Sequence, residues 1–125
     1  MILSMRIYIS HSREFDFENE LYEPIRESHL DSEHDFFLPH ENNKEVITKD
    51  IIKNSDLVVA EVSFPSTGQG IELGWAESFG VPVCCIYKSG TTYTNSLRAI
   101  TDSIFEYSGI EELLQALEKA IKTKL

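Results

Sequence analysis

Apolar residues follow two kinds of pattern along this chain. Short runs rich in β-branched and aromatic residues alternate with longer segments whose apolar positions recur at helical spacing. Residues 57–62 are nearly all apolar, as expected for a strand covered by helices on both faces. Residues 110–122 carry one apolar stripe and lysines near the end, which suits the negative C-terminus of a helix. Strands are predicted at 5–10, 36–38, 57–62, 83–87 and 104–107, and helices at 15–28, 45–55, 70–79, 95–101 and 110–122.

The alternation of strand and helix predicts an α/β fold. We expect a flavodoxin-like three-layer sandwich, with a five-stranded parallel sheet of order 2-1-3-4-5 and helices on both faces. The length of 125 residues suits one domain, residues 1–125. Ligands of such folds bind beyond the carboxyl ends of the first and third strands. Polar segments follow both of these strands, at 10–13 and 63–72.

Composition and charge exclude several classes of partner. The formal net charge is −10, and the clustered Lys and Arg that a nucleic-acid polymer requires are missing. No apolar run reaches the roughly 20 residues of a membrane helix, and the start lacks the apolar stretch of a signal peptide. We therefore expect a cytoplasmic protein without a membrane partner. Cys84 and Cys85 are adjacent in a strand and point to opposite faces, which predicts buried free thiols. We expect neither a metal nor another cofactor.

The segment 63–76 is the most unusual in the chain. Ser66, Thr67, Gly68 and Gly70 come just before the predicted helix start. Glycines let a backbone approach a ligand closely, and free N–H groups at a helix start favour negative charge. The spacing is neither that of a P-loop nor that of a dinucleotide fingerprint. A phosphate cradle and a simple tight turn with a helix cap both remain open.

Glu72 is the candidate for chemistry. The predicted helix start puts it in the first turn, where the helix dipole stabilises a carboxylate. An ionised and positioned carboxylate can attack an anomeric carbon and form a glycosyl-enzyme. The alternative is an acid that only suits the helix dipole.

A longer stretch around Glu72 supports its role as a nucleophile. The sequence Asp-Leu-Val-Val-Ala-Glu-Val-Ser at 56–63, Pro-Ser at 65–66, Gly68, Gly70 and Glu-Leu-Gly at 72–74 resembles the nucleoside 2-deoxyribosyltransferase family. It is most similar to the small branch of 2′-deoxynucleoside 5′-monophosphate N-glycosidases. The match is dense over 54–87 and looser from 6 to 97. The resemblance implies cleavage of the N-glycosidic bond of a (deoxy)nucleoside or its 5′-monophosphate, by hydrolysis or by deoxyribosyl transfer to another base.

The resemblance also implies roles for single residues. Glu72 would be the nucleophile that forms the covalent glycosyl intermediate, and Tyr8 would lie beside the sugar and base. Ser66 and Gly68 would hold the 5′ side of the substrate, and His40 would line the site. Ser96 would enter the site of a neighbouring subunit, which implies a homodimer or higher homo-oligomer. The remaining candidates for substrate binding are Ser10, His11, Ser12, Ser63 and Gly70.

The chain departs from the family at two places. After the first strand, His11 and Glu14 take the positions of a glycine and an arginine, so we expect a weaker preference for a 5′-phosphate. The family Asp that assists the leaving base falls at Thr48. The nearest acid, Asp50, is a candidate for that catalytic role, although it lies about 200° further around a helix. His11 is a second candidate.

Two other functions are compatible with the sequence. Ile-Tyr-Ile-Ser-His-Ser at 7–12 also resembles the first strand of TIR-type domains, some of which cleave NAD with a glutamate. The third possibility is a nucleotide sensor without turnover, since the leaving-group Asp is replaced at Thr48.

Overall fold

The computed structural model describes residues 4–42 and 46–124. Its five parallel strands form one sheet of order β2-β1-β3-β4-β5, which confirms the predicted fold class and strand order. The strands are β1 (Arg6–His11), β2 (Asp35–Phe37), β3 (Leu57–Glu61), β4 (Val83–Lys88) and β5 (Ile104–Tyr107). The helices are α1 (Glu23–Glu27), α2 (Leu30–Glu33), α3 (Thr48–Lys53), α4 (Thr67–Phe79) and α5 (Gly109–Thr123).

Apolar side chains form one cluster on each face of the sheet. Ile9, Leu57 and Leu117 belong to the cluster covered by α1 and α5, while Val58 and Leu73 belong to the cluster covered by α3 and α4. Every residue of β3 is buried, as its apolar sequence predicted. Helices cover both faces of the central strands β1 and β3, and this packing fixes the positions of the ends of these strands.

The two cysteines are free and buried, one in each cluster. This confirms the prediction that they point to opposite faces of one strand. Burial raises the pKa of Cys85 to about 12, so its thiol stays protonated.

The segment after β1 differs from the single predicted helix at 15–28. A π-helical turn (Glu18–Tyr22) comes first and is followed by α1. The backbone N–H of Glu23 bonds to the carbonyl of Glu18, five residues back. Pro24 follows directly and has no N–H to donate to a carbonyl four residues back. The change from the π-helical turn to α1 therefore falls at this proline.

The helix predicted at 45–55 is shorter in the structure. Glu45 lies outside the described residues, and α3 begins at Thr48. Val46 and Ile47, predicted on the apolar side of this helix, precede it and are 42% and 79% exposed. The prediction was wrong for these two residues because Ile47 has extended backbone and the helical spacing starts only after it.

Helix α4 begins three residues earlier than the predicted start at Gly70. Ser66 is its N-cap, and the Ser66 side chain accepts a hydrogen bond from the backbone N–H of Gln69 at 3.3 Å. Glu72 consequently lies in the second turn and not in the first, which corrects the argument from the helix dipole. The helix ends at Gly80, whose φ of 71° is the left-handed conformation that glycine adopts most easily.

The short helix α2 was not predicted, while the remaining elements agree in type with the predictions. Asn95–Ala99 is a 3₁₀ turn, and α5 buries Leu113, Leu117 and Ile121 of its predicted stripe. Ile110, at the start of that stripe, is 57% exposed. None of the helices in the described part of the chain combines the length and apolarity needed to cross a membrane.

Candidate active site

Three hydroxyl groups converge on the carboxylate of Glu72 at the carboxyl end of β1. Ser10 Oγ donates to Oε1 at 2.9 Å, and Thr48 Oγ1 donates to Oε2 at 3.0 Å. The Tyr8 hydroxyl donates to Oε2 as well. Two of the donors come from β1 and one from the start of α3, while Glu72 itself lies on α4. Three segments of the chain thus define the position of this half-buried carboxylate.

Tyr8 is fully buried, and its ring stacks on that of Phe37 with 5.6 Å between the centroids. Burial is the main reason that its pKa is raised, and the nearby negative charge of Glu72 raises it further. Tyr8 therefore stays neutral and acts as a hydrogen-bond donor to Glu72. The sequence resemblance put Tyr8 beside the substrate, and the structure brings it to the predicted nucleophile.

Gln69 attaches the start of α4 to the sheet. Its buried side-chain nitrogen donates to the carbonyl of Ser10 at 3.1 Å and to the carbonyl of Glu61 at 2.8 Å. Those carbonyls lie near the ends of β1 and β3, so Gln69 joins both strands to the helix that carries Glu72. Sequence reasoning missed this residue, because a glutamine between two glycines has no distinctive local pattern.

Glu61 is a buried acid at the end of β3. Its carboxylate accepts hydrogen bonds from the Ser63 backbone N–H at 2.7 Å, from Ser63 Oγ at 2.9 Å and from the Tyr107 hydroxyl. Ser63 Oγ in turn accepts from the Lys88 backbone N–H at 2.8 Å. Ser63 is 5% exposed, and its hydroxyl is bonded on both sides within the protein, so its role in substrate binding stays a prediction.

His11 is buried with both ring nitrogens bonded. Nδ1 lies 2.7 Å from the Ser12 carbonyl, which can only accept, so Nδ1 carries the hydrogen. Nε2 then accepts from the Tyr22 hydroxyl at 2.6 Å, and that hydroxyl accepts from the His40 backbone N–H at 3.1 Å. Burial lowers the pKa of His11 to about 4. Both ring nitrogens are thus engaged within the protein, and the roles suggested for His11 as a substrate ligand and as an aid to the leaving base stay predictions.

His40 and Arg13 lie near the same corner. The ring of His40 packs on that of His11 with 5.5 Å between the centroids, and it is partly exposed. Burial and then the charge of Arg13 lower the pKa of His40. Arg13 is exposed and forms no ion pair within residues 4–42 and 46–124. Ser12 is buried, and its side-chain oxygen accepts the backbone N–H of Glu14 at 3.0 Å, which shapes this loop; its role in substrate binding stays a prediction.

Asp50 is not among the described residues that bond to Glu72, and its role as a catalytic acid stays a prediction. It is exposed and lines a groove with Arg6 and Asn54, at the opposite end of β1. The cause is helical geometry, because Thr48 faces Glu72 and a residue two positions later points to the other side of α3.

The predicted binding segment 66–70 forms the first turn of α4. Gly68 and Gly70 are exposed, and a side chain at Gly70 would meet open space. The N–H groups of Thr67 and Gly68 have no carbonyl to bond within the helix. A cavity of about 420 Å³ borders this turn, between Phe64 and Pro65 on one side and the segment 92–97 on the other. Ser96 is exposed within that segment, on the 3₁₀ turn.

Comparisons with known proteins agree with the resemblance. The 5-hydroxymethyl-dUMP N-hydrolase of Mus musculus is 40% identical over 53 residues, covering 41% of this chain and 31% of that protein. A putative 2′-deoxynucleoside 5′-phosphate N-hydrolase of Syntrophotalea carbinolica is 32% identical over 73 residues, covering 56% of this chain and 51% of that protein. The chain thus matches about a third to a half of the length of these curated relatives. No protein-family model matches the chain.

Solved structures share the fold. The CMP N-glycosidase BcmB of Clostridium botulinum has a TM-score of 0.62 at 23% identity, over 90% of this chain and 98% of that protein. A conserved protein of Enterococcus faecalis has a TM-score of 0.61 at 23% identity, over 98% of this chain and 100% of the other. At this identity the likeness concerns the fold alone. The sequence matches confirm the predicted resemblance, since the relatives are nucleotide N-hydrolases.

Proposed function

We propose that this relative of nucleotide N-hydrolases cleaves the N-glycosidic bond of a nucleoside or nucleoside 5′-monophosphate, with Glu72 as the nucleophile. The observation that carries the proposal is the set of hydroxyl donors from Tyr8, Ser10 and Thr48 around the Glu72 carboxylate. Donors of this kind hold a carboxylate in one orientation without neutralising it, which suits attack on an anomeric carbon. The location beyond the ends of β1 and β3 is where ligands of this fold class bind.

The reaction has two steps. A Glu72 oxygen bonds to C1′ of the sugar while the C1′–N bond breaks, and the electron pair of that bond goes to the base nitrogen. Water then bonds to C1′ and returns the electron pair of the ester to Glu72, and the proton of the water passes to solvent or to the departed base. If a second base attacks in place of water, the result is deoxyribosyl transfer. Both outcomes use one covalent intermediate.

The 5′ side of the substrate would lie at the first turn of α4. The unbonded N–H groups of Thr67 and Gly68 favour a negative group there. Arg13 is the basic side chain that the first loop offers, while Glu14 stands where the N-glycosidase branch has its arginine. Removal of one charged hydrogen bond costs about 1.5–3 kcal/mol, or roughly a 10- to 150-fold change in affinity.

We therefore expect cleavage of deoxynucleosides as well as of their 5′-monophosphates, with less than about a thousandfold preference for the monophosphate. The test measures kcat/KM by release of free base, for both forms, with and without an added acceptor base. Formation of a nucleoside that contains the added acceptor base would identify deoxyribosyl transfer. No base release from any member of the panel would contradict the proposed function, and a larger preference would contradict the role given to Glu14.

We also expect a homodimer in which Ser96 reaches the partner's site. Ser96 is exposed and lies in the chain between Thr94 and Leu97, which line the cavity at the start of α4. Light scattering at micromolar concentration should give twice the chain mass, and Ser96→Ala should raise KM more than it lowers kcat. Asn95→Ala, on the same turn and also exposed, serves as the matched control. A fully active monomer would contradict this expectation.

A further inference from the structure

Thr48 controls the orientation of the Glu72 carboxylate. Its hydroxyl and that of Tyr8 both donate to Oε2, whereas Oε1 receives a donor from Ser10 alone. A carboxylate oxygen accepts about two hydrogen bonds. Oε2 is therefore saturated, and Oε1 keeps a lone pair for the anomeric carbon.

The same contact determines which protons are close to the reaction. Retaining glycosidases pair their nucleophile with a second carboxyl group, which gives a proton to the leaving group. In the described part of the chain, the side chains bonded to Glu72 are all hydroxyls. A threonine hydroxyl does not release its proton near neutral pH, and burial keeps Tyr8 protonated. Thr48 thus fills the place next to the nucleophile with a group that orients it but supplies no proton to a base.

Among the described residues, His11, Tyr22 and His40 also lie near this corner, and they do not change that picture. His11 is bonded at both nitrogens to Tyr22 and Ser12, and Tyr22 is itself kept neutral by burial, which raises its pKa. Burial and then the charge of Arg13 lower the pKa of His40, which disfavours its charged form. A neutral imidazole is a poor acid, since the proton that it holds is far less acidic than that of an imidazolium.

We propose that Thr48 is a positioning residue that directs the site toward N-glycosides whose base departs without taking up a proton. The inference rests on the proposed function and names the substrate class for the same site. This class consists of nucleosides with a cationic base, such as N7-alkylated purine or pyridinium nucleosides. When Glu72 Oε1 bonds to C1′, the electron pair of the C1′–N bond neutralises the base, which leaves uncharged. An unmodified base would have to leave as an anion.

The test compares two substrates of nearly equal shape, 2′-deoxyguanosine and 7-methyl-2′-deoxyguanosine, each as nucleoside and as 5′-monophosphate. General acid catalysis typically contributes roughly 10²- to 10⁴-fold, so the wild type should prefer the methylated base by a factor in that range. Thr48→Asp places a carboxyl group beside Glu72, and one of the two then holds a proton. That variant should cleave the two substrates at rates within about tenfold of each other. A proton from the new carboxyl group would let guanine depart uncharged, as the positive charge of the methylated base already does.

Further variants separate positioning from a structural role. Thr48→Val removes the hydroxyl and should lower kcat on both substrates by similar factors with little change in KM, while Thr48→Ser should restore the rate. The wild-type comparison alone decides the inference if Thr48→Asp unfolds. A wild type that cleaves both bases within tenfold would overturn the inference and leave the proposed function intact. Absence of cleavage of either base in any form would overturn both.

Discussion

Glu72→Gln is expected to remove turnover while the protein stays folded, with kcat/KM lower by at least about 10³-fold. The amide has the same shape and can still accept a hydroxyl hydrogen bond through its carbonyl oxygen. It is uncharged, so it is a much weaker nucleophile toward C1′. Helix α4 packs on the sheet through Leu73 and Ala76, which the substitution leaves in place. The measurement is base release by the variant and by the wild type, together with the melting temperature of each.

Glu77→Gln on the same helix is the matched control. Glu77 is exposed and lines a different groove, near Gly80 and Pro82, so this variant should keep the wild-type rate. Intact-protein mass spectrometry during turnover should also detect one sugar bound to the wild type and none bound to Glu72→Gln. Retention of more than a tenth of the rate by Glu72→Gln would exclude its role as the nucleophile.

The fold could be predicted from the sequence because its signals are local. Val58 and its neighbours form an apolar run that predicts β3, and Leu113, Leu117 and Ile121 recur at the spacing that predicts α5. Both elements can therefore be predicted without knowledge of their tertiary contacts. Boundaries depend on capping and on proline. The Ser66 cap sets the start of α4, and Pro24 falls where the π-helical turn changes to α1.

The candidate site could be predicted only in part. Tyr8, Ser10 and Glu72 come together in the structure, although their roles remain proposals. Thr48 was noted in the sequence only as the replacement of an acid, and its contact with Glu72 depends on the packing of α3 against α4. The Tyr22 bond to His11 likewise depends on the π-helical turn, for which the sequence gives no clear signal.

Glu61 should be the most costly acid to remove for stability. Its side chain is fully buried, and no other acid within the described residues is as inaccessible. Three donors depend on it, namely the backbone N–H and hydroxyl of Ser63 and the hydroxyl of Tyr107. A buried donor left without an acceptor costs about 1–3 kcal/mol. Because Ser63 leads into the segment that caps α4, the loss would also disturb the position of Glu72.

Glu61→Ala is therefore expected to lower the free energy of unfolding by about 3 kcal/mol or more. Urea denaturation followed by circular dichroism measures this change. Glu106→Ala is the control, because Glu106 is an exposed strand acid and surface substitutions usually stay within about 0.5 kcal/mol. Tyr107→Phe should fall between the two, since it removes one donor and leaves the carboxylate bonded to Ser63. Equal stability of Glu61→Ala and Glu106→Ala would mean that water replaces the missing carboxylate, and Glu61 would then have no essential part in holding the end of β3.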